Sequence, residues 1–388
     1  MLKMHDVDLS GKKVLIREDL NVPITDGKIK SDRRIQAIIP TLKFAIESNC
    51  SVILMSHMGR PKEGDLNKDL SLKPVAKYLA ALLDKEVRFV VDWVDGIDII
   101  SGEIVLLENV RFQKGEKSNN EILSKKMADL CDVFVMDAFA CAHRAHASTD
   151  GVARYAKLAC AGPLLLKELN SLKLSFDKPK RPIVAIVGGS KISTKLGVIK
   201  SLAKFVDYLI LGGGIANTFI KALEHDVGHS LYEEDMLDTA KKLITDSSKL
   251  CQIPEVIDVV VGKSFSNDSN AETKTIREIL SDDIILDVGP MTIKRYTEII
   301  QDAETIIWNG PVGVFEFDKF GQGTKEIANA IARNDAFSAA GGGDTLAAIE
   351  KYNIAKNISY ISTGGGAFLE FIESKTLSSV KLLEELNH

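Results

Sequence analysis

The chain has 388 residues, more than one hydrophobic core usually supports, so two domains are expected. Hydrophobic residues at 45%, charged residues at 27% and a formal net charge of -5 describe an ordinary globular protein and give no electrostatic footprint for nucleic acid. No apolar run approaches the roughly 20 residues of a membrane span, Met1 to Asp6 lack a secretory apolar segment, and five cysteines without C-x-x-C spacing argue against a disulfide framework or a zinc site. A cytoplasmic protein with reduced core thiols is expected.

In the first half, short β-branched runs alternate with helix-like stretches. They are Val14–Ile16, Ser51–Met55, Val87–Val91, Ile104–Leu107 and Val133–Met136. Their apolarity is continuous rather than alternating, which predicts strands buried on both faces of a parallel α/β sheet. Such sheets bind ligands beyond the carboxyl ends of their strands. Those ends carry Arg17-Glu18-Asp19-Leu20-Asn21, Ser56-His57-Met58-Gly59-Arg60-Pro61, Glu108-Asn109-Val110-Arg111 and Asp137 through Arg144. Eight of the twelve arginines lie before residue 155. Guanidinium forks match carboxylate and phosphate oxygens in pairs, so a common pocket for a small, multiply charged anion is expected. His57, His143 and His146 stand among these cations and lack a third ligand at metal spacing; hydrogen bonding to an anion, or packing, is the better reading. Cys141 reads as a packed thiol rather than a nucleophile.

Leu164 to Leu174 reads as an amphipathic helix that runs into Asp177-Lys178-Pro179-Lys180-Arg181-Pro182, which marks the boundary between the halves near residue 178. Beyond it the strand-then-turn grammar returns with glycine at the strand ends. Ile183–Val187 leads into Gly188-Gly189-Ser190-Lys191, Tyr208–Leu211 into Gly212-Gly213-Gly214, Ile284–Val288 into Gly289-Pro290, and Thr305–Trp308 into Asn309-Gly310-Pro311. Glycine lets backbone approach a flat or phosphorylated ligand closely. Lys191 and Lys195, four apart in a segment entering a helix, are expected on one face, bridging a transferring phosphoryl group and its nucleotide. Ala339-Ala340-Gly341-Gly342-Gly343-Asp344-Thr345 precedes another helix-like segment. It reads either as a glycine-rich turn with an N-capping Asp or as a seat for a polyphosphate, with Asp344 holding a magnesium ion. Neither a G-x-x-x-x-G-K-[ST] loop nor a complete G-x-G-x-x-G is present. The last helix-like stretches, Ala367–Ile372 and Val380–Glu384, are expected to pack across the halves.

From about residue 8 to 381 the chain resembles the phosphoglycerate kinase family. The resemblance rests on Arg17-Glu18-Asp19-Leu20-Asn21-Val22-Pro23, Ser56 to Pro61, Leu106 to Phe112, Asp137 to Thr149, Leu211 to Ala222, Trp308 to Glu316, Gly341 to Thr345 and Ser362 to Glu370. Leu20 stands where Phe is usual, Ala140-Cys141 where Gly-Thr is, Ser190-Lys191 where Ala-Lys is, and Ser378-Ser379 where Pro-Gly is. None of these departures removes a charged group.

The resemblance implies two Rossmann-like α/β lobes, each a parallel sheet flanked by helices, joined by a hinge helix. It places a 3-phosphoglycerate-binding domain at residues 1–165, the interdomain helix at 166–178, a nucleotide-binding domain at 179–372 and a returning C-terminal segment at 373–388. The implied reaction is reversible phosphoryl transfer from 1,3-bisphosphoglycerate to Mg-ADP by a monomer, with Mg²⁺ as the metal. Asp19 and Asn21 would hold the glycerate, and His57, Arg60, Arg111 and Arg144 would grip its phosphate. Arg34, Lys191 and Lys195 would stabilise the transferring group. Gly212 would line the base pocket, Glu316 would bond ribose, Gly342, Gly343 and Thr345 would seat phosphates with Asp344, and Asp344 would hold Mg²⁺. A nucleotide sensor on the same fold would be expected to lose Arg34, Lys191, Lys195 or Asp344, and all four are present. A dehydrogenase-like enzyme would need the missing glycine fingerprint.

Overall fold

The computed structural model describes residues 1–177, 179–247 and 251–386, with the side chains of Leu174, Ser175 and Ser247 left aside. The sequence boundary at residue 178, and Asn387 and His388 at the end of the last segment, lie outside the described residues. The chain divides into two units, Met1–Asn170 with Ser374–His388, and Ser171–Glu373.

The first unit holds strands β1 (Lys13–Arg17), β2 (Ile24–Thr25), β3 (Lys28–Ile29), β4 (Ser51–Met55), β5 (Arg88–Val90), β6 (Ile104–Leu107), β7 (Val133–Met136) and β8 (Ala159–Ala161). Its helices are α1 (Arg33–Glu47), α2 (Lys73–Leu83), α3 (Glu121–Asp129), α4 (Val152–Tyr155) and α5 (Pro163–Phe176), and the division between units falls inside α5. Six strands form one parallel sheet in the order β5-β6-β4-β1-β7-β8. β4, β6 and β7 are buried at every residue, as continuous apolarity requires of strands covered on both faces. The strand order reverses at β1, so the loops after β4 and β7 leave on opposite sides and open a crevice at the end of β1.

The second unit holds β9 (Ile183–Gly188), β10 (Tyr208–Gly212), β11 (Asp258–Gly262), β12 (Glu272–Thr275), β13 (Ile284–Val288), β14 (Thr305–Asn309), β15 (Phe337–Ala340) and β16 (Tyr360–Ile361). Its helices are α6 (Leu196–Ala203), α7 (Gly213–Ala222), α8 (Leu237–Ser247), α9 (Pro290–Gln301), α10 (Gln322–Arg333), α11 (Gly343–Lys351) and α12 (Gly365–Ser374). A five-stranded parallel sheet runs β10-β9-β14-β15-β16 and reverses at β9. The fold class read from the sequence is borne out, with one difference. Ile284–Val288 is not in the parallel sheet but pairs antiparallel with β11 in a separate sheet, β12-β11-β13. Apolarity reports burial, not strand direction.

The last helix, α13 (Ser378–Glu385), packs on β8 and α4 of the first unit. Its Ser379 N–H donates to the Ala142 carbonyl at 2.9 Å.

Candidate active site

β1 ends at Arg17 and delivers Glu18 to Asn21 into the first crevice. Arg17 is only 2% exposed. Its Nε donates to Ser148 Oγ at 3.1 Å, Nη1 donates to the Glu18 carbonyl, and Nη2 lies 3.2 Å from His57 Nδ1. Asp19 Oδ2 lies 3.1 Å from Arg34 Nη1, which also donates to the Asn21 carbonyl at 2.7 Å. Arg34 sits in the first turn of α1, where a positive charge opposes the helix dipole, so helix stability does not account for it. Asn21 Oδ1 accepts from the Gly59 N–H at 2.9 Å and ties the β1 and β4 loops together. Arg111 is buried; Nη1 donates to the Gly59 carbonyl while its buried Nε meets no acceptor among the described residues. Half-buried Arg144 donates from Nε to His143 Nε2 at 3.2 Å, and Arg60 is exposed.

This clustering leaves its mark on the three histidines and on Arg111. Burial, then Arg17, Arg111, Arg144 and Arg34, hold His57 well below the ordinary histidine pKa, so its ring is neutral. Burial and Arg144 lower His143 to about 4, and burial with Arg111 and Arg144 lowers His146 to about 4. Arg111 itself falls to about 10, by burial and then by Arg144. Such a field attracts a compact anion with several charges. Asp19, His57 and Cys141 offer donor atoms within 4.8 Å of one another, but Arg17 Nη2 stands 3.2 Å from the His57 nitrogen and 3.8 Å from Cys141 Sγ. A guanidinium occupies the place a metal cation would need. Arg17 was absent from the sequence-derived set, although its position as the last residue of a buried strand was the available signal.

In the second unit the loop after β9 carries both lysines. Helix α6 begins only at Leu196, so Lys191 and Lys195 do not share a helical face as their spacing suggested. The Ser193 N–H and hydroxyl both donate to Glu233, at 2.8 and 2.6 Å, and pin the loop outside the helix. Lys191 is exposed. Lys195 turns inward, and its Nζ donates to the Gly188 carbonyl at 2.6 Å, Asn309 Oδ1 at 2.6 Å and the Asn309 carbonyl at 3.2 Å. Burial lowers its pKa to about 8, against a smaller opposing pull from Asp344. Asn309, missed as a site residue, also donates from Nδ2 to the Gly341 carbonyl at 2.6 Å. Its place before Gly310-Pro311 at a strand end was the only signal.

The Gly341–Thr345 stretch forms the turn into α11. Gly342 has φ +105 and caps the helix, whose ladder begins with Leu346 N–H to the Gly342 carbonyl. The N–H groups of Gly343, Asp344 and Thr345 therefore lie outside the ladder, and a Cβ on Gly343 would meet nothing within 4 Å. Asp344 is exposed and its carboxylate makes no side-chain hydrogen bond or ion pair among the described residues, which fits a group able to hold a hard cation. Thr345 is buried: its hydroxyl accepts from the Gly310 N–H at 2.7 Å and donates to the Gly341 carbonyl at 3.0 Å. Only its backbone is left to offer. A neighbouring cavity of about 290 Å³ has Gly213, Gly214, Leu231, Phe265 and Val312 in its wall together with the exposed Glu316 and Asp344. Gly212 stands behind that wall, where a Cβ would come within 2.4 Å of Val312 Cα.

Two α/β units, one collecting arginines at its strand ends and the other collecting lysine, glycine and an unpaired carboxylate, carry the groups a phosphotransferase needs. The sequence profile of the family described as phosphoglycerate kinase matches residues 4–375. The chain is 59% identical to the phosphoglycerate kinases of Legionella pneumophila strains Corby and Paris, over 99% of its length and 98% of theirs. Its fold matches the solved phosphoglycerate kinase of Coxiella burnetii with TM-score 0.93 and 49% identity, covering 100% of both chains. That of Pyrococcus horikoshii OT3 matches with TM-score 0.83 and 32% identity, over 99% of this chain and 98% of that one. The chain belongs to the phosphoglycerate kinase family.

Proposed function

We infer that the chain transfers a phosphoryl group reversibly from 1,3-bisphosphoglycerate to ADP, giving 3-phosphoglycerate and ATP in glycolysis and gluconeogenesis. The observation that carries this beyond family membership is the set of four arginines, Arg17, Arg34, Arg111 and Arg144, acting on one neutral histidine. A phosphorylated carboxylic acid is small and multiply charged enough to match it.

In this reading the first unit binds 3-phosphoglycerate. Asp19 and Asn21 hold the glycerate, and His57, Arg60, Arg111 and Arg144 grip its phosphate, with His57 accepting or donating one neutral hydrogen bond. The acceptor carboxylate is already ionised at neutral pH, so no general base is needed. Arg34, Lys191 and Lys195 neutralise charge on the transferring group, the main catalytic demand of phosphoryl transfer. In the second unit the free N–H groups of Gly343, Asp344 and Thr345 beside Gly342 seat the nucleotide phosphates, Glu316 bonds ribose, and the chain around Gly212 forms the base pocket. Asp344 would hold Mg²⁺, which supplies charge neutralisation of the phosphates when bound. Direct transfer requires reacting atoms within about 3–3.5 Å, so two seats on separate units imply a closing motion, with α5 and the Ser362–Gly366 turn as hinges. The reading extends to a cytoplasmic monomer whose partners are these small molecules, neither nucleic acid nor membrane. No helix among the described residues is long and apolar enough to cross a membrane.

The test is ATP- and Mg²⁺-dependent phosphorylation of 3-phosphoglycerate in an NADH-coupled assay, wild type beside Arg34→Ala. Turnover by the wild type, and a fall of roughly 10²–10³ in kcat for the variant, is expected from loss of one charge stabilising the transition state. A wild type that binds Mg-ATP without turning over would be a nucleotide sensor on this fold.

A further inference from the structure

Glu18 is a fully buried carboxyl group that the reaction does not use. It lies between Arg17 and Asp19, yet among the described residues neither of its oxygens meets an N–H or O–H donor. Arg17 does not rescue it, because that guanidinium is committed to Ser148, His57 and the Glu18 carbonyl rather than the Glu18 side chain. The carboxyl group beside it is another buried one, Asp137. The register explains the encounter. β1 and β7 are parallel neighbours with Arg17 opposite Met136, so the next residue on each strand, Glu18 and Asp137, emerges side by side on the same face. The Asp137 N–H donates to the Arg17 carbonyl at 3.0 Å and continues the ladder there.

Asp137 has its own fixed donors. Oδ2 accepts from Thr41 Oγ1 at 2.5 Å, and Oδ1 accepts from the Leu165 N–H at 2.9 Å in the first turn of α5. Burial raises the Asp137 pKa as well, but those bonds and the helix N-terminus oppose that rise and favour its ionised form over that of Glu18. Two carboxylates cannot be buried in contact while both are charged, but an acid and a carboxylate can, through one short hydrogen bond. Glu18, which has no other donor, must carry the proton. Burial and then Asp137 push its pKa well above the ordinary carboxyl range, in agreement with that assignment. The other charged or titratable groups facing the pair are Arg17 and Asp19 from the β1 end and the Cys160 thiol from β8.

We propose that Glu18 donates a shared proton to Asp137 and that this pair is a positioning device, fastening the end of β1 that carries Asp19 to the N-terminus of α5. The proposal rests on the reading of Asp19 as a ligand of the glycerate. Glu18 touches no substrate. It acts by fixing the backbone from which Asp19 projects, so a loosened pair lets Asp19 and its Arg34 partner drift from their position.

The experiment combines infrared difference spectroscopy with steady-state kinetics on the full chain, comparing wild type, Glu18→Gln and Glu18→Leu. At pH about 8.5, above the value of about 7 to which burial raises the Asp287 carboxyl, the wild type is expected to show the C=O stretch of a buried protonated carboxyl, shifted in D₂O and absent from both variants. The Gln amide still donates to Asp137, so its KM for 3-phosphoglycerate should stay within about twofold, whereas Leu fills the space without donating and should raise that KM about fivefold or more, with KM for ATP unchanged within about twofold. An absent acid band overturns the shared proton, and a Leu variant with wild-type KM overturns the positioning role. Should Glu18→Leu fail to fold, the band in wild type and Glu18→Gln still decides the proton, and Glu18→Met supplies the kinetic comparison. A wild type with the band but no turnover of 3-phosphoglycerate defeats the functional reading instead, since the band needs no substrate.

Discussion

Among the described residues Lys195 donates to three oxygens, none of them a carboxylate's, so its charge is solvated by the protein without an ion pair. A phosphate oxygen would complete that environment, and the pKa of about 8 makes the charge sensitive to pH in the free enzyme. The sign follows from the depressed value: the ammonium is present below about 8 and lost as pH rises through it. We therefore expect kcat/KM for the nucleotide to decline above that pH, while bound phosphates move the same limb in kcat to higher pH. A flat kcat/KM profile up to pH about 9.5, where an unperturbed lysine would still be charged, sinks this account. His146 gives a second pH test, on stability. Its folded-state pKa of about 4 lies below the ordinary 6.5, so the unfolded chain binds the proton first and stability falls as pH drops from about 6.5 towards about 4. His143 acts with the same sign over the same window. Urea midpoints measured from pH 7 to 4 should show the decline, shallower in His146→Gln. An unchanged slope in the variant would remove His146 from the account of the loss.

At the scale of elements, the turn into α11 is built on a backbone that only glycine adopts without strain. Gly342 has φ +105, and a Cβ there would also come within 2.7 Å of Asn309 Nδ2. Gly342→Ala should therefore disturb the Asn309 bridge between Lys195 and Gly341 as well as the free N–H groups. A cost of about 1–3 kcal/mol for the strained φ corresponds to roughly 5–150-fold weaker ADP binding by calorimetry, with 3-phosphoglycerate binding unchanged. Equal loss for both ligands would point to global destabilisation. The sequence displayed this turn plainly, because a glycine run between a strand and a helix has few other uses. It displayed the parallel strands equally well, through runs such as Ser51–Met55 that are buried on both faces. It hid the β11–β13 sheet, since Glu272–Thr275 is mostly exposed and reads as loop, while Ile284–Val288 looks like any buried strand. Contacts between distant loops were also illegible: nothing at Ser193 announces Glu233, and nothing at Lys195 announces Asn309.

For the molecule as a whole, the two units separate the two kinds of charge chemistry. The arginine seat is formed by the loops of β1, β4, β6 and β7 with α1, and the lysine–glycine seat by the loops of β9, β14 and β15. Each ligand should thus bind its own unit independently, and substitutions at Arg111 or Arg144 should raise KM for 3-phosphoglycerate while leaving that for ATP unchanged. Chemistry is different, because an acyl phosphate is hydrolysed by water wherever water reaches it. In the proposed reading, closure would solve both problems at once, by aligning donor with acceptor and by excluding solvent. Neither ligand alone supplies the charge on both sides that would favour closure. Small-angle scattering should accordingly show a smaller radius of gyration with 3-phosphoglycerate and a non-hydrolysable Mg-nucleotide together, and little change with either one. Compaction by one ligand alone would mean that a single seat drives closure, and none with both would require the phosphoryl group to cross without it.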